Sequence, residues 1–126
     1  MAERLTALEA AVLGWIRARC ASAALAGQID AVLAGAAVTK REWTGVGWFV
    51  DLAAPRALPP AAEDQGWPLP GPDLESADIE AGGGSLLWGA DGYLTCLELF
   101  ANGSFFNQHA SDVRLIASAD DPGPVR

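Results

Sequence analysis

A chain of 126 residues with 51% hydrophobic side chains, five tryptophans and a net charge of −8 has the size and composition of one domain. It can bury a core without metal or disulfide support. Lysine and arginine are absent between Arg56 and Arg114, an interval that holds Glu63, Asp64, Asp73, Glu75, Asp78, Glu80, Asp91, Glu98 and Asp112. Nucleic acid and anionic membrane both need cations to meet phosphate, so neither is expected as a partner.

The N-terminal segment carries Glu3, Arg4 and Glu9 where a secretory signal requires a continuous apolar run. The most apolar stretch, 21–38, is interrupted by Gln28 and Asp30, which argues against a membrane span. These features lead us to expect a cytoplasmic protein in which Cys20 and Cys96 are unpaired thiols; a bridge between them would depend on geometry.

Residues 2–36 read as helix. Leu5, Leu8, Val12, Trp15 or Ile16, and Arg19 or Cys20 recur at three- and four-residue steps, and Leu25, Ile29, Val32 and Leu33 continue the pattern. Either Ser22 caps a second helix or Gly27 bends a single one, and Gly35 supplies the stop. The apolar stripe serves a core face or, on the sharper reading, a dimer seam.

From residue 41 the period changes to two. In 41–53 Thr44, Val46, Trp48, Val50 and Leu52 share one face, and Trp43, Gly45, Gly47, Phe49 and Asp51 the other. The two glycines leave a flat patch that suits a helix, a ring or a ligand. Residues 54–72 hold six of the eight prolines and form a long loop, with Trp67 as its anchor on the body.

Further on, 73–81, 85–89 and 92–101 read as strands. Asp91-Gly92 turns between the last two, and Asn102-Gly103 leads on into 104–108. A final strand lies in 111–118 and 119–126 is a tail. The whole is one α+β domain, 1–118, with a helix or helix pair packed on an antiparallel meander of about five strands, β-rich over 41–118.

No familiar chemical constellation emerges. Gly82-Gly83-Gly84-Ser85 leads into a strand with no lysine nearby, so it is a turn or bulge and not a phosphate loop. Asp78 and Glu80, at i and i+2, share a strand face that suits solvent better than a cation. His109 is the only histidine, which excludes a multi-histidine zinc site. A Cys96–His109 nucleophile pair is formally available, but a small buried thiol explains Cys96 more simply. No motif calls for a cofactor.

Glu98 stands out, since it alternates with Leu94, Cys96 and Phe100 and would sit as a buried acid if that face is core. Two readings follow. Either Arg41 or Arg114 pairs with it, or it lines a ligand or enzymatic pocket with Trp43, Trp48 and His109.

The segments REWTGVGWFVDL and GGGSLLWGADGYLTCLEL resemble a group of small uncharacterised bacterial proteins. That group carries an Arg-x-x-Thr-Gly-x-Gly-Phe-like segment and a downstream glycine turn ending in Leu-Glu. Arg41, Thr44, Gly45, Gly47, Gly89 or Gly92, Leu97 and Glu98 carry the likeness over about 60 residues. Trp48 departs from it, standing where phenylalanine is common. The resemblance implies a fold and no activity. Size, acidity and the missing catalytic set together lead us to expect a non-catalytic accessory or immunity-like protein. It would bind another protein or itself, and the ligand pocket is the competing reading.

Overall fold

The computed structural model describes residues 2–103, 106 and 112–117. Two helices come first, α1 (Ala7–Arg19) and α2 (Ala23–Ala34). Thr6 caps α1 in a reciprocal capping box with Glu9, and Cys20 ends it in extended backbone. Ser22 caps α2 by accepting from the Leu25 N–H, and Gly35 closes it. The stripe read over 2–36 is therefore a helix pair, broken by the Ser22 cap and not by Gly27.

Seven strands follow. They are β1 (Val38–Trp43), β2 (Gly47–Leu52), β3 (Leu69–Pro70), β4 (Asp73–Ser76), β5 (Ile79–Ala90), β6 (Tyr93–Ala101) and β7 (Arg114–Ile116). All pair antiparallel in the order β1-β2-β6-β5-β4-β7, and β3 lies along the far end of β5. The α+β class holds, but the sheet has more than five strands and is not a plain meander. The β1–β2 hairpin docks on β6, and β7 returns to the edge of β4.

Three local expectations are corrected. Residues 41–53 form a hairpin and not one strand: the Thr44 N–H donates to Gly47 O across a turn in which Gly45 has φ 89°. A positive φ at the first central residue is what a tight II′ hairpin needs, and glycine supplies it without steric cost. Residues 73–81 are likewise a hairpin turning at Ala77-Asp78, so Asp78 and Glu80 do not share a strand face. Gly82–Gly84 lie inside β5 and form no turn: Gly82, at φ 68°, stands at a bulge-like irregularity in the register with β4, Gly83 and Gly84 are buried, and the Phe100 ring covers the space a Gly84 side chain would fill.

The Asp91-Gly92 turn is observed as expected, with both residues at positive φ. Asn102-Gly103 begins a turn after β6, and the continuation into 104–108, Phe106 apart, and all of the 119–126 tail lie outside the described residues.

Period two assigns the faces. Val50 and Leu52 of β2, Leu87 of β5, and Leu97, Leu99 and Ala101 of β6 are buried with Val12, Leu13, Ile16, Leu25, Ile29 and Val32 of the helices in one core. Each of these valine, leucine and isoleucine side chains contributes about 1.5–3 kcal/mol through its burial.

The long loop packs on this same side. Leu69 belongs to the core, and Trp67 rests against Gly89. Ala61 N–H donates to Gly92 O. The Tyr93 hydroxyl lies 2.8 Å from Leu58 O and 3.1 Å from Arg56 O, with the Arg56 guanidinium over its ring.

Gln28 of α2 fastens loop, turn and helix together. Fully buried, its amide nitrogen donates to Pro59 O (3.1 Å) and Gly92 O (2.9 Å), and its oxygen accepts from the Leu94 N–H at 3.0 Å. Replacing Gln28 by leucine leaves the buried Leu94 N–H without its acceptor and takes a donor from Pro59 O and from Gly92 O, which keeps only the Ala61 N–H. Gln28→Leu is expected to lower stability by about 2–4 kcal/mol in urea titration. Amide exchange should rise first at Ala61 and Leu94, both bonded within this cluster; unchanged exchange there would refute the role given to Gln28.

Candidate functional site

A buried acid exists, but it is Glu9 and not Glu98. Glu9 sits in the first turn of α1, fully buried, against β1 and β2. One carboxylate oxygen accepts from the Thr6 N–H (2.8 Å) and Arg41 Nη2 (2.7 Å). The other accepts from Arg41 Nε and the Trp48 indole N–H, both at 2.9 Å. Arg41 also bonds Glu3 at 2.7 Å and Arg4 O at 3.1 Å. Trp48 stacks with Trp43 at 4.5 Å between centroids and meets Phe106 edge-on at 4.9 Å.

Burial pushes the Glu9 carboxyl up. Hydrogen bonds from Arg41, Thr6 and Trp48 and the charge of Arg41 outweigh it and hold the group below the ordinary value of 4.5. The Arg41 guanidinium is raised in turn, mainly by its bonds to Glu9. Four donors on two oxygens occupy the acceptor sites of this carboxylate and anchor helix to sheet.

Three of the sequence candidates, Arg41, Trp43 and Trp48, thus come together around an acid that the sequence reading passed over. Its signal was present: Thr6-x-x-Glu9 before an apolar run is a capping box, and Glu9 lies on the stripe of Leu5, Val12 and Ile16.

Glu98 lies on the opposite face of the sheet. The pairing of β5 with β6 jumps from Trp88↔Cys96 to Gly89↔Leu94, which makes Thr95 the extra residue of a bulge. Beyond it the parity reverses, so Leu94 joins the core while Cys96, Glu98 and Phe100 turn outward, half-buried. Neither Arg41 nor Arg114 reaches Glu98; Arg114 pairs with Glu75. Its bond is instead from the indole N–H of Trp88, 3.0 Å from Oε1. His109 lies outside the described residues, and with it the Cys96–His109 pair.

The outward face is an apolar field set with acids. Ladder rows place Lys40, Asp51, Cys96 and Trp88 side by side, then Glu42, Phe49, Glu98 and Leu86, then Gly47, Phe100 and Gly84. Trp88 is 37% exposed. Phe49, Leu86, Trp88 and Phe100 take no part in the core that both helices and the loop cover. Cys96 and Cys20 are free thiols. Burial, with the charge of Asp51 next, pushes the Cys96 thiol up to about 12, the opposite of what a nucleophile requires.

Among the described residues no three His, Cys, Asp or Glu side chains gather as metal ligands, and no helix is long and apolar enough to cross a membrane. Two surface hollows, of about 500 and 300 Å³, are lined respectively by the β4–β5 hairpin with Asn102 and Ile116, and by Glu3 with 38–41. Neither includes Trp43, Trp48 or Glu98. No family model, curated protein or solved structure matches the chain.

Two outcomes test these assignments. Glu9→Gln is expected to cost about 2–4 kcal/mol by leaving Arg41 short of its buried counter-ion. A depressed carboxyl stabilises the fold above the unfolded glutamate range and loses that contribution as pH falls through its lowered value. The acid-side decline in Tm should therefore be shallower in Glu9→Gln than in wild type, and parallel curves would contradict the assignment. For Cys96, alkylation by iodoacetamide at pH 8 in the folded protein should be at least about tenfold slower than in denaturant. Asp51→Asn should speed it, as read by peptide mass spectrometry.

Proposed function

We propose that the protein is a non-catalytic binding module whose outward sheet face docks a protein partner of opposite charge. The observation that carries this reading is one face of β1, β2, β6 and β5, where Phe49, Leu86, Trp88 and Phe100 lie outside the core. An apolar field of this kind, rimmed by polar groups, is a usual mark of an interaction surface. Tryptophan is the side chain most enriched among residues that dominate binding energy, and here its ring is held in place by Glu98.

Charge selects the kind of partner. Glu42, Asp51 and Glu98 make no ion pair among the described residues, and Lys40 is the one cation in these rows. A partner with basic residues around an apolar centre fits. A second copy of this chain does not, because two faces carrying the same acids on bodies of charge −8 repel. Support for a non-catalytic role is twofold: the buried acid is saturated by its donors, and the one described thiol on the open face is held protonated.

The test is face-dependent capture. Tagged wild type should retain a stoichiometric partner from a lysate of its source cell. The Leu86→Asp/Trp88→Asp variant should lose that partner, and Glu75→Ala on the far edge should keep it. Both controls need to match wild type by circular dichroism. Capture indifferent to Leu86 and Trp88, or light scattering that gives a dimer dissolved by these substitutions, would overturn the proposal.

A further inference from the structure

The rows of the outward face fix more than its overall sign. Phe49 sits at the centre of a fence of carboxylates. Glu42 and Glu98 flank it from the neighbouring strands, and Asp51 follows it on its own strand. With strands about 4.8 Å apart and same-face residues about 7 Å apart along a strand, all three acids lie within one long side chain's reach of the ring.

The ion pairs found in the fold leave these acids alone. Arg17 is joined to Asp30, Arg41 to Glu9 and Glu3, and Arg114 to Glu75. Lys40 is in register with Asp51 yet forms no ion pair with it. Glu98 offers Oε1 to Trp88, while Oε2 has no hydrogen-bond partner among the described residues. The thiol of Cys96, between Asp51 and Glu98, is pushed up partly by both charges, as expected of a negative local field.

We propose that this face receives an arginine side chain of the partner, its stem lying on Phe49 and its guanidinium held among Glu42, Asp51 and Glu98. The inference rests on the face being the binding surface and specifies the chemistry that it recognises. A guanidinium suits the arrangement better than an ammonium. It is planar, weakly hydrated, stacks on aromatic rings, and spreads five donors over acceptors that lie apart. A lysine ammonium is a compact point charge and satisfies one of these carboxylates at a time.

The probes are acetylated, amidated hexa-arginine and hexa-lysine peptides, titrated into the full chain at about 100 mM salt and followed by amide and indole resonances. Shifts are expected to concentrate at Phe49, Glu98 and the Trp88 indole N–H, with hexa-arginine binding about threefold or more tighter than hexa-lysine. Glu98→Gln preserves an acceptor for Trp88 and removes only the charge, and should weaken hexa-arginine about threefold. Glu80→Gln, in the hollow beside β4 and β5, should not. Equal losses in the two variants, or shifts spread over Asp73, Glu75 and Glu80, would show attraction by net charge alone and overturn the proposal. If the peptides miss the face while partner capture still depends on Leu86 and Trp88, the arginine fails and the binding module stands. Loss of both removes the binding reading itself.

Discussion

The carboxylate of Glu9 is the contact on which the arrangement of layers depends. It closes the capping box at the start of α1 and accepts from a side chain on β1 and another on β2, so one residue fixes the helix to two strands. A buried charge is tolerated only when fully paired and hydrogen-bonded, and here both oxygens are satisfied twice. Arg41 extends the tie to the N-terminal segment through Glu3 and Arg4 O, where Glu3 also bridges Val38 by backbone bonds. Four separate pieces of chain are thereby held by one charge pair. Gln28 does the neutral equivalent at the other helix, joining α2 to the loop and to the β5–β6 turn.

Both anchors act on the same side of the sheet, and that explains the asymmetry of the two faces. Helices, the proline-rich loop and Trp67 all pack where Leu87, Leu97 and Leu99 point. The loop is longer than most connections because it crosses from β2 at one side of the sheet to β3 beside β5, over the core. Its many prolines cost little there, since few of its N–H groups enter a ladder. Nothing in this packing draws Phe49 or Trp88 inward, and their positions follow from strand parity once the opposite face has been assigned to the core.

Much of this was legible in the residues. The N-terminal helical segment, the Gly35 stop, the Asp91-Gly92 hairpin and the helices-then-strands order all rest on local chemistry, which short stretches of sequence state directly, and the Ser22 cap was one of the two breaks they offered. What escaped is non-local or breaks a period. Thr44-Gly45-Val46-Gly47 alternates as a strand would, and only the pairing of β1 with β2, Trp43 opposite Trp48, reveals the turn. A single extra residue at Thr95 inverts the face of everything after it, which moved Glu98 from the core to the open side. The expected pairing of a buried acid with Arg41, one of two donors named, was chemically sound, but which acid reached it depended on the docking of α1, a tertiary fact. Glu9 carried local signals as a capping residue and as a member of the apolar stripe, and neither names Arg41 and Trp48 as its partners.

The outward apolar field is half-buried at Phe49, Leu86 and Phe100 and exposed at Trp88, and an apolar sheet face left partly open ordinarily invites self-association. Here the acids interleaved with it oppose that outcome. Bringing two such faces together would bury Glu42, Asp51 and Glu98 against their own copies without a compensating cation, and desolvating unpaired carboxylates costs several kcal/mol each. The same groups exact no such penalty against a basic surface, which supplies the missing counter-charges as it covers the rings. Under the proposed binding reading, attraction and exclusion come from one set of residues: Phe49, Leu86, Trp88 and Phe100 provide the area to be covered, and the three carboxylates select by their sign what covers it. Specificity of this kind needs no pocket. It needs the rows of the ladder to hold charge and ring in fixed register, and the anchoring at Glu9 and Gln28 on the far side keeps that ladder in place.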